Sequence, residues 1–163
     1  MGTWASRRKL TQPSPPRPAS TRICVRSYIG ERLTAFDRLD FLYMPSRDPA
    51  AEASYYVETF GGELVFAIEA FGTRVAMVKL TDEAPALLFA GHLDGERPIL
   101  VYRVAHLEAA IAELREEGCE VSEPFGIPPG PCAEITTPGG HRLAIYELTR
   151  PETPARLEGR RDF

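Results

Sequence analysis

The sequence predicts an α+β fold: two similar β-α-β-β-β modules whose mixed sheets form a cup, with the helices on its outer face. Three observations carry this. Strand-like and helix-like segments alternate in the same order twice. Matching positions in the two halves keep a nearly constant offset. Each half ends its helix on glycine, at Gly61-Gly62 and at Gly118.

The elements follow in order. Leu39 to Met44 is a short apolar run suited to a strand. Asp48-Pro49 opens a helix, with Asp at the N-cap and Pro at the first helical position, and Ala50 to Phe60 supplies its body. Glu63–Glu69, Thr73–Leu80 and Ala86–Ala90 read as strands separated by turn residues. The pattern then returns. Ile99–Val104 is a strand, and Leu107–Glu117 is a helix with Leu107, Ala110, Ile111 and Leu114 on one face. Strands are expected at Glu120–Pro124, Cys132–Thr136 and Arg142–Leu148, the last after a tight turn at Pro138-Gly139-Gly140. Phe41 matches Ile99, Asp48 matches His106, Gly61 matches Gly118, Glu63 matches Glu120 and Thr81 matches Thr137. Two sheets, each with one face on its own helix, must cover their other faces, and a cup between them is a ligand pocket.

The 163 residues suit one domain with tails. The expected organisation is a basic Pro/Ser-rich extension over 1–37, a repeat domain over 38–149 with modules 38–92 and 97–149, and a polar surface tail over 150–163. Residues 1–30 carry six basic side chains and no acidic one, whereas the rest of the chain carries a net −10. The extension reads as disordered, as a targeting segment, as a start-site artefact or as a basic arm. An acidic body lacks the basic face that nucleic acid requires. No apolar run approaches the ~18–20 residues of a membrane span. Three widely spaced cysteines, Cys24, Cys119 and Cys132, fit neither a disulfide scaffold nor a zinc site, and point to a cytoplasmic location.

The run Leu39-Asp40-Phe41-Leu42-Tyr43-Met44 leads into Asp48. Tyr55-Tyr56 precedes Phe60-Gly61-Gly62, and Thr137-Pro138-Gly139-Gly140-His141-Arg142-Leu143-Ala144-Ile145-Tyr146-Glu147 closes the second module. With these in order, the chain resembles the vicinal oxygen chelate superfamily, which includes glyoxalases, bleomycin-resistance proteins and extradiol dioxygenases. The resemblance implies paired βαβββ modules, a homodimer and, in metal-dependent members, one ligand on each of four strands. Those positions here are Phe41, Leu88, Ile99 and Ala144. None can ligate a metal, so no cofactor is expected. The first could slip to Asp40, but a one-residue slip turns the side chain to the other face.

Alternation gives the expected lining. Phe41, Tyr43, Ile99, Val101, Arg103, Arg142, Ala144 and Tyr146 face the cup, and His92 lies in a loop at its rim. Leu42, Met44, Leu100, Val104, Leu143 and Ile145 face the helices. Aromatic walls with two arginines suit an aromatic or anionic small molecule; alternatively, the arginines snorkel to water from strand ends. His106 reads as a substitute helix cap, His141 as a turn residue and Cys132 as an inert buried thiol. The expected function is metal-free binding of a small organic molecule. The alternatives are a metal-dependent lyase or dioxygenase using His92, His141 and Glu134, a metal-free enzyme using Glu134 or Tyr43 as acid–base, and a dimerisation module. No P-loop, GxGxxG or Ser/His/Asp order occurs.

Overall fold

The computed structural model describes residues 36–70 and 72–163. Residues 1–35 of the expected basic extension, Cys24 among them, lie outside these residues. The element order is β1 (Phe36–Pro45), α1 (Pro49–Phe60), β2 (Glu63–Ala70), β3 (Thr73–Lys79), β4 (Ala86–Ala90), β5 (Ile99–Val104), α2 (Leu107–Glu116), β6 (Phe125–Ile127), β7 (Gly130–Thr136), β8 (Arg142–Glu147) and α3 (Glu152–Leu157). The predicted α+β class and the twice-repeated order are therefore present.

All eight strands join one curled sheet in the order β2-β3-β4-β1-β5-β8-β7-β6. Strand β1 pairs in parallel with β4, and β5 with β8; β1 and β5 meet antiparallel at the seam. Each module thus contributes four strands in equivalent order on either side of that seam. Helix α1 begins where expected: the Asp48 carboxylate accepts from Ala50 N and Ala51 N at 3.2 Å, and Pro49 occupies the first turn. It stops at Gly61, whose φ of 70° is left-handed.

Side-chain alternation sorts the sheet into two faces. On the helix side, Ala53, Ala67, Ala76, Val78, Leu87 and Phe89 form one core under α1, with Leu42 and Met44 packed on it. Val104, Ala133, Ile135 and Ile145 form a second core with Leu107, Ala110 and Ile111 of α2, and Leu143 packs on it. At roughly 1.5–3 kcal/mol per buried large aliphatic or aromatic side chain, these two cores hold the helices to the sheet. On the opposite face, Ile99, Val101, Cys132, Ala144 and Tyr146 are buried together, with Phe41 and Tyr43 against them.

Two expectations need correction. The strand expected at Glu120–Pro124 lies later, at Phe125–Ile127. Pro124 has no N–H to give a ladder; before it, the chain meets β7 through a Val121–Ile135 bridge, a Ser122 N to Glu134 O bond and a Glu134 N to Ser122 Oγ bond. The surface tail is also more tied down than expected. Pro151 and Pro154 do not prevent α3, because Pro151 is its N-cap and Pro154 lies in its first turn, where an N–H has no helical partner. Beyond it, Gly159 N donates to Val65 O, Ala67 N to Arg160 O, and Asp162 N to Ala67 O, so the chain pairs with the free edge of β2. No described helix is long and apolar enough to cross a membrane.

Candidate functional site

The expected lining residues come together. Phe41, Tyr43, Ile99, Val101, Ala144 and Tyr146 share the buried cluster on the concave face. Arg103 lies opposite Tyr146 in the β5–β8 register, and Arg142 opposite Ile99, so both strand positions belong to this face. Leu88 pairs with Tyr43 and with Met77, on the face away from Leu87 and Phe89. The four positions that the resemblance assigns to metal ligands thus share one face, yet their side chains are an aromatic ring, two aliphatic chains and a methyl. A divalent ion needs N, O or S donors, so this residue set does not fit one. The alternative ligand set fares no better. Among the described residues no three or more His, Cys, Asp or Glu group to hold a metal, so His92, His141 and Glu134 do not form a site.

The sheet carries a polar station on this face that alternation does not foresee. In the β1–β5 register Leu39 pairs with Tyr102 but Phe41 with Val101, so Asp40 is the extra residue of a β-bulge. A bulge re-aims a side chain, and the rule that a one-residue slip reverses the face fails here. Asp40 is 4% exposed and is the buried charged residue among those described. Its carboxylate accepts from the Tyr146 hydroxyl and from Arg38 Nε, both at 2.5 Å, and Arg103 Nε lies 3.6 Å away. Arg103 Nε also donates to Asp37 at 2.8 Å. Burial, then the neighbouring Asp40 carboxylate, push the Tyr146 phenol well above its ordinary range.

At the other end of the strands, His92 bridges two elements. Its Nδ1 is 3.0 Å from Thr73 Oγ1 at the start of β3, and its Nε2 is 3.0 Å from the Tyr43 hydroxyl of β1. Burial pushes the Tyr43 phenol up to about 12. The loop carrying His92 is anchored just before it, by Gly91 N donating to Arg74 O and Ser46 N to Ala90 O. Nearby, Arg142 reaches Glu134 at 3.4 Å and Asp94 O at 3.4 Å. With Asp94, Gly95, Glu96 and Arg97 it lines an open concavity of about 350 Å³.

The remaining candidates are placed elsewhere. His106 occupies the N-cap of α2 without a side-chain cap bond; the Glu147 carboxylate accepts from Leu107 N at 2.8 Å instead. His141 is exposed at the turn before β8. Cys132 is buried, and burial first, then Glu134, push its thiol up to about 12, far from a reactive thiolate. Of the other arginines, Arg74 of β3 pairs with Glu69 at 2.7 Å and stacks over Phe163, away from the cup. Alternation did not place Asp40 on this face, and Thr73 was not among the expected lining residues. Thr73 was legible from its alternation with Val75 and Met77, opposite the buried Ala76 and Val78.

No curated protein sequence matches the chain. Among solved structures, methylmalonyl-CoA epimerase from Mycobacterium tuberculosis is similar at 20% identity and TM-score 0.61, covering 77% of this chain and 96% of that one. A Streptomyces coelicolor methylmalonyl-CoA epimerase variant, in complex with 2-nitronate-propionyl-CoA, is 21% identical with TM-score 0.58, covering 71% and 99%. A hypothetical protein of Bacillus halodurans is 18% identical with TM-score 0.57, covering 68% and 93%. At these identities the likeness is one of fold. A family model spans residues 38–145, from β1 into β8 and across both modules. The chain therefore belongs to the Glyoxalase/Bleomycin resistance protein/Dioxygenase superfamily.

Proposed function

We propose that the protein binds a small aromatic molecule on the concave face of its sheet, without a metal. The observation that carries this reading is the makeup of that face. Phe41, Tyr43, Ile99, Val101, Ala144 and Tyr146 offer an apolar and aromatic wall, and three of them, Phe41, Ile99 and Ala144, stand where metal-dependent members of the family carry ligands. Apolar walls with a few fixed polar groups are the usual makeup of a small-molecule site. Both arginines of the face have carboxylate partners, Arg103 with Asp37 and Asp40 and Arg142 with Glu134. Their charges are already balanced, which favours a neutral aromatic ligand over an anion. A cytoplasmic homodimer belongs to the same reading. It is supported by the exposed Phe125 on the three-residue edge strand β6 and by free Cys119 and Cys132.

The test is thermal unfolding of the full chain with 2-naphthol or naphthalene, in buffer with EDTA and then with Mg²⁺, Mn²⁺, Ni²⁺ or Zn²⁺. The expected result is a rise in Tm with either aromatic in EDTA; a saturating site at 100 times Kd adds about 2.7 kcal/mol. Leu88→Arg, placed in the wall, is expected to abolish that rise. A stoichiometric divalent metal by elemental analysis, or no response to either aromatic, overturns the proposal.

A further inference from the structure

The two phenols of the concave face differ in surroundings but agree in what they offer a ligand. Tyr146 donates its hydroxyl proton to the Asp40 carboxylate, which as an anion can only accept. Tyr43 meets His92 Nε2, and His92 Nδ1 meets Thr73 Oγ1, each at 3.0 Å. A neutral imidazole has one donor nitrogen and one acceptor. Of the two hydroxyls the phenol is the stronger acid, so the better-matched arrangement has Tyr43 O–H donating to Nε2 and Nδ1–H donating to Thr73 Oγ1. Burial keeps both phenols protonated well past neutral pH. In this arrangement both protons are committed to protein partners, and both oxygens retain only lone pairs.

We propose that the cup selects aromatic ligands that carry a hydroxyl or N–H donor, which the Tyr43 oxygen accepts at the rim. Thr73 and His92 are positioning residues that turn this phenol into an acceptor. The inference rests on the cup reading and adds the ligand's polarity to it. It also assigns Thr73 a role, through the chain Thr73–His92–Tyr43, although Thr73 itself touches no ligand. The three residues come from β3, the β4–β5 loop and β1, so the first module alone sets this preference.

Isothermal titration of the full chain with 2-naphthol, 2-methoxynaphthalene and naphthalene tests it, since only the first has a donor. The wild-type protein is expected to prefer 2-naphthol over 2-methoxynaphthalene by roughly 2- to 10-fold, the range of one neutral hydrogen bond. Tyr43→Phe is expected to remove that preference, so that 2-naphthol and 2-methoxynaphthalene bind alike. His92→Ala frees the Tyr43 hydroxyl to donate to the oxygen of either ligand as well as to accept, so the preference is expected to fall toward parity. In the ligand-free protein, ¹⁵N NMR of the imidazoles is expected to show His92 as the Nδ1–H tautomer, with that population reduced in Thr73→Val. Binding of naphthalene with no donor preference, or an Nε2–H tautomer for His92, overturns the donor assignment and leaves the cup reading standing. No binding of any of the three overturns the cup reading and this inference with it.

Discussion

Asp40 shows how much can depend on one residue. Its carboxylate is buried against the Tyr146 hydroxyl, while Arg38 is mostly exposed and Arg103 is 23% exposed. Water can solvate the arginines when Asp40 is removed, but the buried phenol then loses its partner. Asp40→Leu is therefore expected to cost about 2 kcal/mol, the range for an orphaned buried donor. Adding Tyr146→Phe to that variant removes the orphan and is expected to recover much of the loss. Urea unfolding of the four members of this cycle checks it, and strictly additive losses would show the pair uncoupled. The phenols also contribute to alkaline sensitivity, alongside the Cys132 thiol. A folded pKa raised above the ordinary 10.0, to about 12 for Tyr43, means the fold holds that proton more tightly than the unfolded chain does. The resulting stability is present below pH 10 and is lost as pH rises toward 12, by about 1.4 kcal/mol per unit for each such proton. Tyr146 acts in the same direction. Urea midpoints measured from pH 9 to 11.5 are expected to fall, and to fall less steeply in Tyr43→Phe.

The two helices are matched by sequence yet started by different means. In α1 the local Asp48 carboxylate caps the first turn, as the sequence indicates. In α2 the matching residue is His106, which makes no cap bond, and a carboxylate from β8, Glu147, accepts from Leu107 N. A local pattern reveals the first device but not the second, because Glu147 is 40 residues away and arrives only when β8 pairs with β5. The helix N-terminus carries partial positive charge, so the anion adds to the bond. Asp48→Ala and Glu147→Ala are each expected to cost about 1 kcal/mol, whereas His106→Ala stays within about 0.5 kcal/mol. Equal losses for His106→Ala and Glu147→Ala in thermal unfolding would return the capping role to the histidine.

Across the whole molecule, the repeat was legible because each module carries its own punctuation: apolar runs, helix-stop glycines and a tight turn before the last strand. The concave lining followed wherever a strand is regular, as in β5 and β8, so Ile99, Val101, Ala144 and Tyr146 were within reach. It failed where pairing departs from regularity, at the Asp40 bulge and at Pro124, since alternation assumes an unbroken ladder. The C-terminal pairing was hidden for a related reason. A polar segment does not state which distant strand edge it will cover. Strand β2 ends the sheet order, and an uncovered edge presents unpaired N–H and C=O groups to other chains. Here Gly159, Arg160 and Asp162 bond to Val65 and Ala67, and Arg161 donates to the carbonyls of Leu64 and Val65. Phe163 packs on the α1-side core and under Arg74, whose guanidinium carbon is 5.2 Å from the ring centroid. Removing residues 158–163 deletes several hydrogen bonds of about 0.5–1.5 kcal/mol each, along with that aromatic contact. The truncated chain is expected to unfold at lower temperature, by an amount equivalent to about 2–4 kcal/mol. It is also expected to associate beyond the wild-type state as concentration rises, read by light scattering after size exclusion. Phe163→Ala separates the two effects: it removes the packing but keeps the edge bonds, so stability falls without added association. Association in Phe163→Ala equal to that of the truncation would locate the protection in the aromatic contact rather than in the covered edge.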